Sequence, residues 1–242
     1  GTYPANNISF AGHSFSGEYL KEKGKPYNEA IMKNLIGSGL VLNKNLKYEF
    51  EFIKGNGSEY SGNVDGNLSG QDILSLYPDS PAKNLTGDFV FNTHIQKLKG
   101  EILTDGELEV KNGSFNIDNL PEAVTNFNTS VLFNNAKLAF QELNGKIGTN
   151  DFSFSGIVIN PLNIGKEDQP FLIEGDFSSG QLRIDELMGV SLEESSKAIS
   201  TGSPVKDYTP AKGISINVSM NVDHLFYKKF YGRNLNGRLI VK

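Results

Sequence analysis

Three histidines, a scatter of aspartates and one serine-containing glycine run are the residues whose types could do chemistry. His13, His94 and His224 lie far apart in the chain. A metal or general-base site needs a second histidine or a carboxylate at a fixed spacing beside each one. No such spacing occurs, so they read as ordinary surface or edge histidines. Asp72, Asp79, Asp118, Asp151, Asp176 and Asp185 fall mostly where turns or strand ends are expected, positions that suit an aspartate backbone. Glycosidase chemistry needs two carboxylates held roughly 5–9 Å apart, and the sequence nominates no pair. Gly12-His13-Ser14-Phe15-Ser16-Gly17 lacks the Gly-x-Ser-x-Gly spacing of a nucleophile elbow. No glycine-rich loop has the strand–loop–helix setting of a phosphate cradle. The absence of cysteine excludes disulfides and thiolate metal sites. These residues predict no enzyme, no metal and no cofactor.

The elements that would have to position a site are strands. Tyr48, Phe50 and Phe52 alternate with Lys47, Glu49 and Glu51; Phe89, Phe91 and Ile95 share a face. Leu108 and Val110 alternate with Glu107, Glu109 and Lys111. Leu138 and Phe140, Phe152 and Phe154, and Ile157 and Ile159 continue the pattern, and Phe171, Ile173 and Phe177 flank Gly175. Ile214, Ile216, Val218, Met220 and Val222 alternate with Ser215, Asn217, Ser219, Asn221 and Asp223. A period of two is the mark of a pleated strand with one wet face. Leu-x-Gly recurs at Leu68-Ser69-Gly70, Leu85-Thr86-Gly87, Leu98-Lys99-Gly100, Leu143-Asn144-Gly145 and Leu235-Asn236-Gly237. Glycine inside such patterns marks bends, bulges or close backbone approach. Asn112-Gly113 predicts a tight turn.

Helical spacing predicts short helices over 26–36, 71–77, 120–124 and 183–188. Residues 191–213 are poor in large apolar side chains and predict a flexible loop or linker. The chain thus divides into a repeated strand region at 1–190, that linker, and strands at 214–242 continuing the sheet. The fold expected is mainly β: an elongated, curled antiparallel sheet, an open groove or a partly closed sandwich, with a few short helices. A net charge of −5 over 242 residues argues against nucleic acid as a partner. No run reaches the roughly 20 apolar residues of a membrane span. Gly1 and the strand-like ending at Arg238–Lys242 read as the ends of a piece of a longer protein.

The remaining functional candidate is the apolar face itself, either a core between two sheets, which periodicity alone favours, or a trough for acyl chains. The resemblance below favours the trough. The stretch from Leu98 to Val190 resembles the C-terminal region of AsmA-like proteins of Gram-negative envelopes, in a Bacteroidetes-like version. Three pieces carry the resemblance: Gly106–Phe115, Leu143–Gly156, and Phe171–Phe177 followed by Leu182–Leu187; Asn234–Leu239 would begin a further unit. It implies relation to bridge-like lipid-transfer proteins: a periplasmic lipid carrier, or a protein of outer-membrane assembly and maintenance. It also implies a phospholipid or other acyl-chain ligand, and attachment to the inner membrane by a segment outside this chain. The lining expected is Phe89, Phe91, Leu108, Val110, Phe152, Phe154, Ile216, Val218 and Met220. A surface β-sandwich module binding glycan or protein is the alternative.

Overall fold

The computed structural model describes residues 2–3, 8–26, 31–41, 44–52, 59–118, 120–161, 171–188 and 214–241. The expected linker at 191–213 lies outside them. Among the described residues, thirteen strands and two short helices follow in order: β1 (Thr2–Tyr3), β2 (Ile8–Leu20), β3 (Ile31–Val41), β4 (Lys44–Phe52), β5 (Tyr60–Ser69), α1 (Gly70–Leu76), β6 (Ala82–Leu98), β7 (Glu101–Ile117), β8 (Val124–Asn134), β9 (Lys137–Ile147), β10 (Asn150–Ile159), β11 (Phe171–Arg183), α2 (Ile184–Leu187), β12 (Ile214–Tyr227) and β13 (Phe230–Val241). Each strand neighbours the next in one mostly antiparallel, unclosed sheet. The mainly β fold expected from the alternation is the fold observed.

The chain forms two compact units. The first holds residues 1–80, 87–110 and 132–135; the second holds 81–86, 111–131 and 136–242.

In the first unit, large rings alternate with glycines across neighbouring strands. Tyr48 stands opposite Gly37 and Val64, and Phe50 opposite Leu35 and Gly62. A Cβ built on Gly37 would come 2.5 Å from the Tyr48 ring, so only glycine leaves the ring its seat. Phe50 meets Tyr60 edge-on at 6.0 Å. Leu68 faces Phe89, and both are buried. The strand then turns into α1 through a capping box: the Asp72 amide donates to Ser69 Oγ at 3.3 Å, and the Ser69 amide donates to Asp72 Oδ2 at 2.7 Å.

In the second unit, Phe154 stands opposite Leu143 and Phe177, and Val158 opposite Leu138 and Ile173. A register shift between Phe154 and Gly156 on the β9 side marks a bulge. Phe115 and Phe127 meet edge-on at 5.4 Å.

Four expectations are corrected. Residues 31–36 belong to strand β3; the helical spacing of Ile31, Met32, Leu35 and Ile36 yields to pairing with β2 and β4 on either side. The rest of that expected helix, 27–30, lies outside the described residues. Asn112-Gly113 is not a hairpin turn but the interior of β7. Asn112 takes φ 53° there, and its amide donates to Asn128 Oδ1 at 2.9 Å, so a side chain satisfies it. No helix forms over 120–124, where Val124 opens β8. Finally, β11 and β12 run parallel, with Phe171 opposite Ile214 and Arg183 opposite Phe226. The expected helices at 71–77 and 183–188 appear as α1 and α2.

Candidate functional site

The strand register decides which candidate residues share a face, because residues directly opposite one another project to the same side. In the first unit Phe89 and Phe91 stand opposite Leu68 and Gly66. On the other side of these strands, Asp65, Asn92, Glu107 and Glu109 border a hollow that Val90 and Phe91 also line. Leu108 and Val110, which alternate with those glutamates, therefore share the apolar side with Phe89 and Phe91. Val110 and Phe89 are buried, and Phe91 and Leu108 are half-buried.

In the second unit the parallel pair places Ile216 beside Ile173, Val218 beside Gly175 and Met220 beside Phe177. Phe154 faces Phe177 on the next strand, and Phe152 faces Gly145. Phe152, Phe154, Ile216, Val218 and Met220 thus lie on one apolar side. Val218 is buried and the other four are half-buried. The opposite side of the same strands carries Ser153, Ser155, Asp176, Ser178, Ser219 and Asn221 around a hollow of about 490 Å³ that Phe177, Met220, Asn236 and Gly237 also border.

The apolar side of the second unit deepens into a trough of about 700 Å³. Buried Leu182 and Val222 are among its lining, with Met220 and Leu225 beside them. Met188 (61% exposed), Phe230 (57%) and Leu239 (44%) line it with much of their surface in water. That is apolar surface held open, the kind that marks a ligand or partner contact. Gly237 sits between Leu235 and Leu239, opposite Met220. A Cβ added there meets nothing within 4 Å, so the trough has free space above this glycine.

One end of the trough is held by α2, a single turn fixed by polar side chains. Asp185 Oδ2 accepts the Lys228 amide at 2.6 Å. Glu186 Oε2 accepts Thr149 Oγ1 at 2.7 Å and Asn150 Nδ2 at 3.3 Å. Buried Asn150 accepts the Arg183 amide through Oδ1 and donates to the Ile147 carbonyl at 3.0 Å. Asp151 accepts the amides of Gly180 and Gln181 at 2.9 and 2.8 Å. The Arg183 guanidinium lies 4.2 Å over the Phe226 ring. These bonds position the Leu182, Ile184 and Met188 side of the trough.

Of the expected lining, Met220 is in this trough. Leu182, Leu225, Phe230, Leu235 and Leu239 were missed. The signal for the last three was present: Tyr227-Lys228-Lys229-Phe230 is two polar residues between apolar runs, a hairpin pattern, and Leu235 and Leu239 lie at even spacing beyond it.

Two of the histidines, His94 and His224, take part in polar contacts. His94 Nδ1 lies 3.0 Å from Asn63 Oδ1, and Nε2 lies 3.3 Å from Ser61 Oγ. His224, inside β12, lies 2.8 Å from the Tyr231 hydroxyl. Among the described residues no group of three or more His, Asp or Glu is placed to hold a metal.

No family model, no curated protein and no solved structure matches this chain.

Proposed function

We propose that this chain is a non-enzymatic lipid-handling protein whose apolar sheet face receives acyl chains. The observation that carries the proposal is the trough of about 700 Å³ in the second unit, lined mainly by aliphatic, methionine and aromatic side chains, with Asn236 and Arg238 also bordering it, and open above Gly237. Hydrocarbon is the ligand that such a lining suits, because each buried methylene contributes about 0.8 kcal/mol without any placed polar partner. The chain slides along the apolar floor while its head group stays in water, and no side chain acts as acid, base or nucleophile. The likeness of residues 98–190 to AsmA-like proteins extends the proposal. It adds a place in the periplasm, a role in outer-membrane assembly or maintenance, phospholipid as ligand, and an inner-membrane attachment through a segment outside this chain.

The test is uptake of a fluorescent fatty acid by delipidated protein in vesicle-free solution. Saturable uptake that disappears in Gly237→Leu supports the trough. No uptake, or uptake that Gly237→Leu leaves untouched, sinks it.

A further inference from the structure

The turn between β12 and β13 puts lysines and exposed rings together at one tip. Tyr227 stands opposite Phe230, and Phe226 opposite Tyr231. Between them Lys228 and Lys229 form the turn, both exposed. Phe230 and Tyr227 project on the trough side, where they are part of its lining. Tyr231, 48% exposed, projects on the other side, stacked on His224 with ring planes 8° apart. Lys228 Nζ lies 5.2 Å over the Tyr227 ring.

The charge around this tip runs against that of the chain. Residues 224–233 carry Lys228, Lys229 and Arg233 and no acid, in a protein of net charge −5. Among the described residues, the acids near the tip include Asp185, Glu186 and Asp223. Asp185 accepts the Lys228 amide, and Glu186 faces Thr149 and Asn150.

We infer that this tip is a membrane-docking element: Tyr227, Phe230 and Tyr231 enter the head-group layer of an anionic bilayer while Lys228, Lys229 and Arg233 meet its phosphates. Amphipathic rings favour the boundary between hydrocarbon and water. Basic residues beside them are drawn to an anionic leaflet. A bilayer suits this tip better than a strand of nucleic acid does, because the rings flank the trough, and a docked tip would bring the trough to the lipid surface. In that last respect the inference rests on the trough reading; the docking itself is measured without it.

The chain has no tryptophan, so Phe230→Trp introduces a single reporter at the tip. Vesicles of equal parts phosphatidylglycerol and phosphatidylcholine are expected to shift its emission to the blue and to carry the protein down on centrifugation. Raised salt should weaken both effects. Lys229→Glu should weaken vesicle binding roughly tenfold. Lys146→Glu, the same charge change at an exposed site on β9, should leave it unchanged. No blue shift, an equal loss from Lys146→Glu, or capture by single-stranded RNA in preference to vesicles would each overturn the inference. The trough and the tip fail separately. Protein carrying Gly237→Leu should dock as before, docking without acyl uptake sinks only the trough, and uptake without docking sinks only the tip.

Discussion

The ring of Phe154 lies across Gly175. A Cβ on Gly175 would come 2.9 Å from that ring, and a Cβ on the facing Gly156 would come 2.8 Å from it. Each of the two glycines also backs onto the other strand's main chain, so neither position has room for a methyl group. Gly175→Ala is therefore expected to destabilise the protein by about 1–3 kcal/mol, the range for forcing a methyl into a packed site. The check is urea unfolding, in which the midpoint falls and the slope stays constant. A fall no larger than that of a surface substitution would mean that the ring does not need its glycine seat.

Gly237 gives the opposite result. Its Leu-x-Gly motif matches that of Gly145, yet Gly145 is overlaid by the Phe152 ring, and Gly237 has open space. Gly237→Leu should keep or raise stability, since replacing a strand glycine removes an entropic cost of roughly 0.5–1 kcal/mol. The same change should abolish acyl-probe uptake. Thermal unfolding and probe titration on one preparation check both halves.

Asn150 joins three elements through one buried side chain. Asn150→Ala leaves the Arg183 amide without its acceptor and removes one of the two bonds by which Glu186 ties α2 to the β9–β10 turn, leaving that from Thr149. The expected cost is about 1–3 kcal/mol. Hydrogen exchange should show faster exchange at Arg183 and across α2. Unchanged protection of the Arg183 amide would refute the assignment.

Ser69→Ala removes the cap of α1. A loss of about 1 kcal/mol is expected, as for other N-cap serines. Its effect on exchange should be confined to 70–76, with the trough and its probe binding unaffected.

The sheet was legible wherever a strand has one wet face. The run from Val218 to Asp223 shows this, because its alternation of apolar and polar residues coincides with alternating burial. β3 was not legible, because its apolar spacing suits a helix and only its two neighbours decide otherwise. Asn112-Gly113 was misread because a turn dipeptide and a left-handed residue inside a strand use the same backbone freedom; what separates them is the remote Asn128 side chain. The trough was half legible. Alternation marks Met220 and Val222, but Leu182 and Leu225 enter after the polar stretch at Gly180-Gln181 and Asp223-His224, where the simple period lapses. The grouping of those four residues depends on β11 and β12 lying side by side in the same direction, which no local pattern encodes.

The parallel pairing of β11 and β12 also sets the tempo of folding. The β9–β10 and β12–β13 turns each span two residues, 148–149 and 228–229, whereas 30 residues separate Arg183 from Ile214. Loop-closure entropy makes the short ribbons quick to zip and the long connection slow to close. The C-terminal ribbon is thus expected to nucleate by itself and to join β11 late, making that encounter the step that governs how fast the second unit is completed.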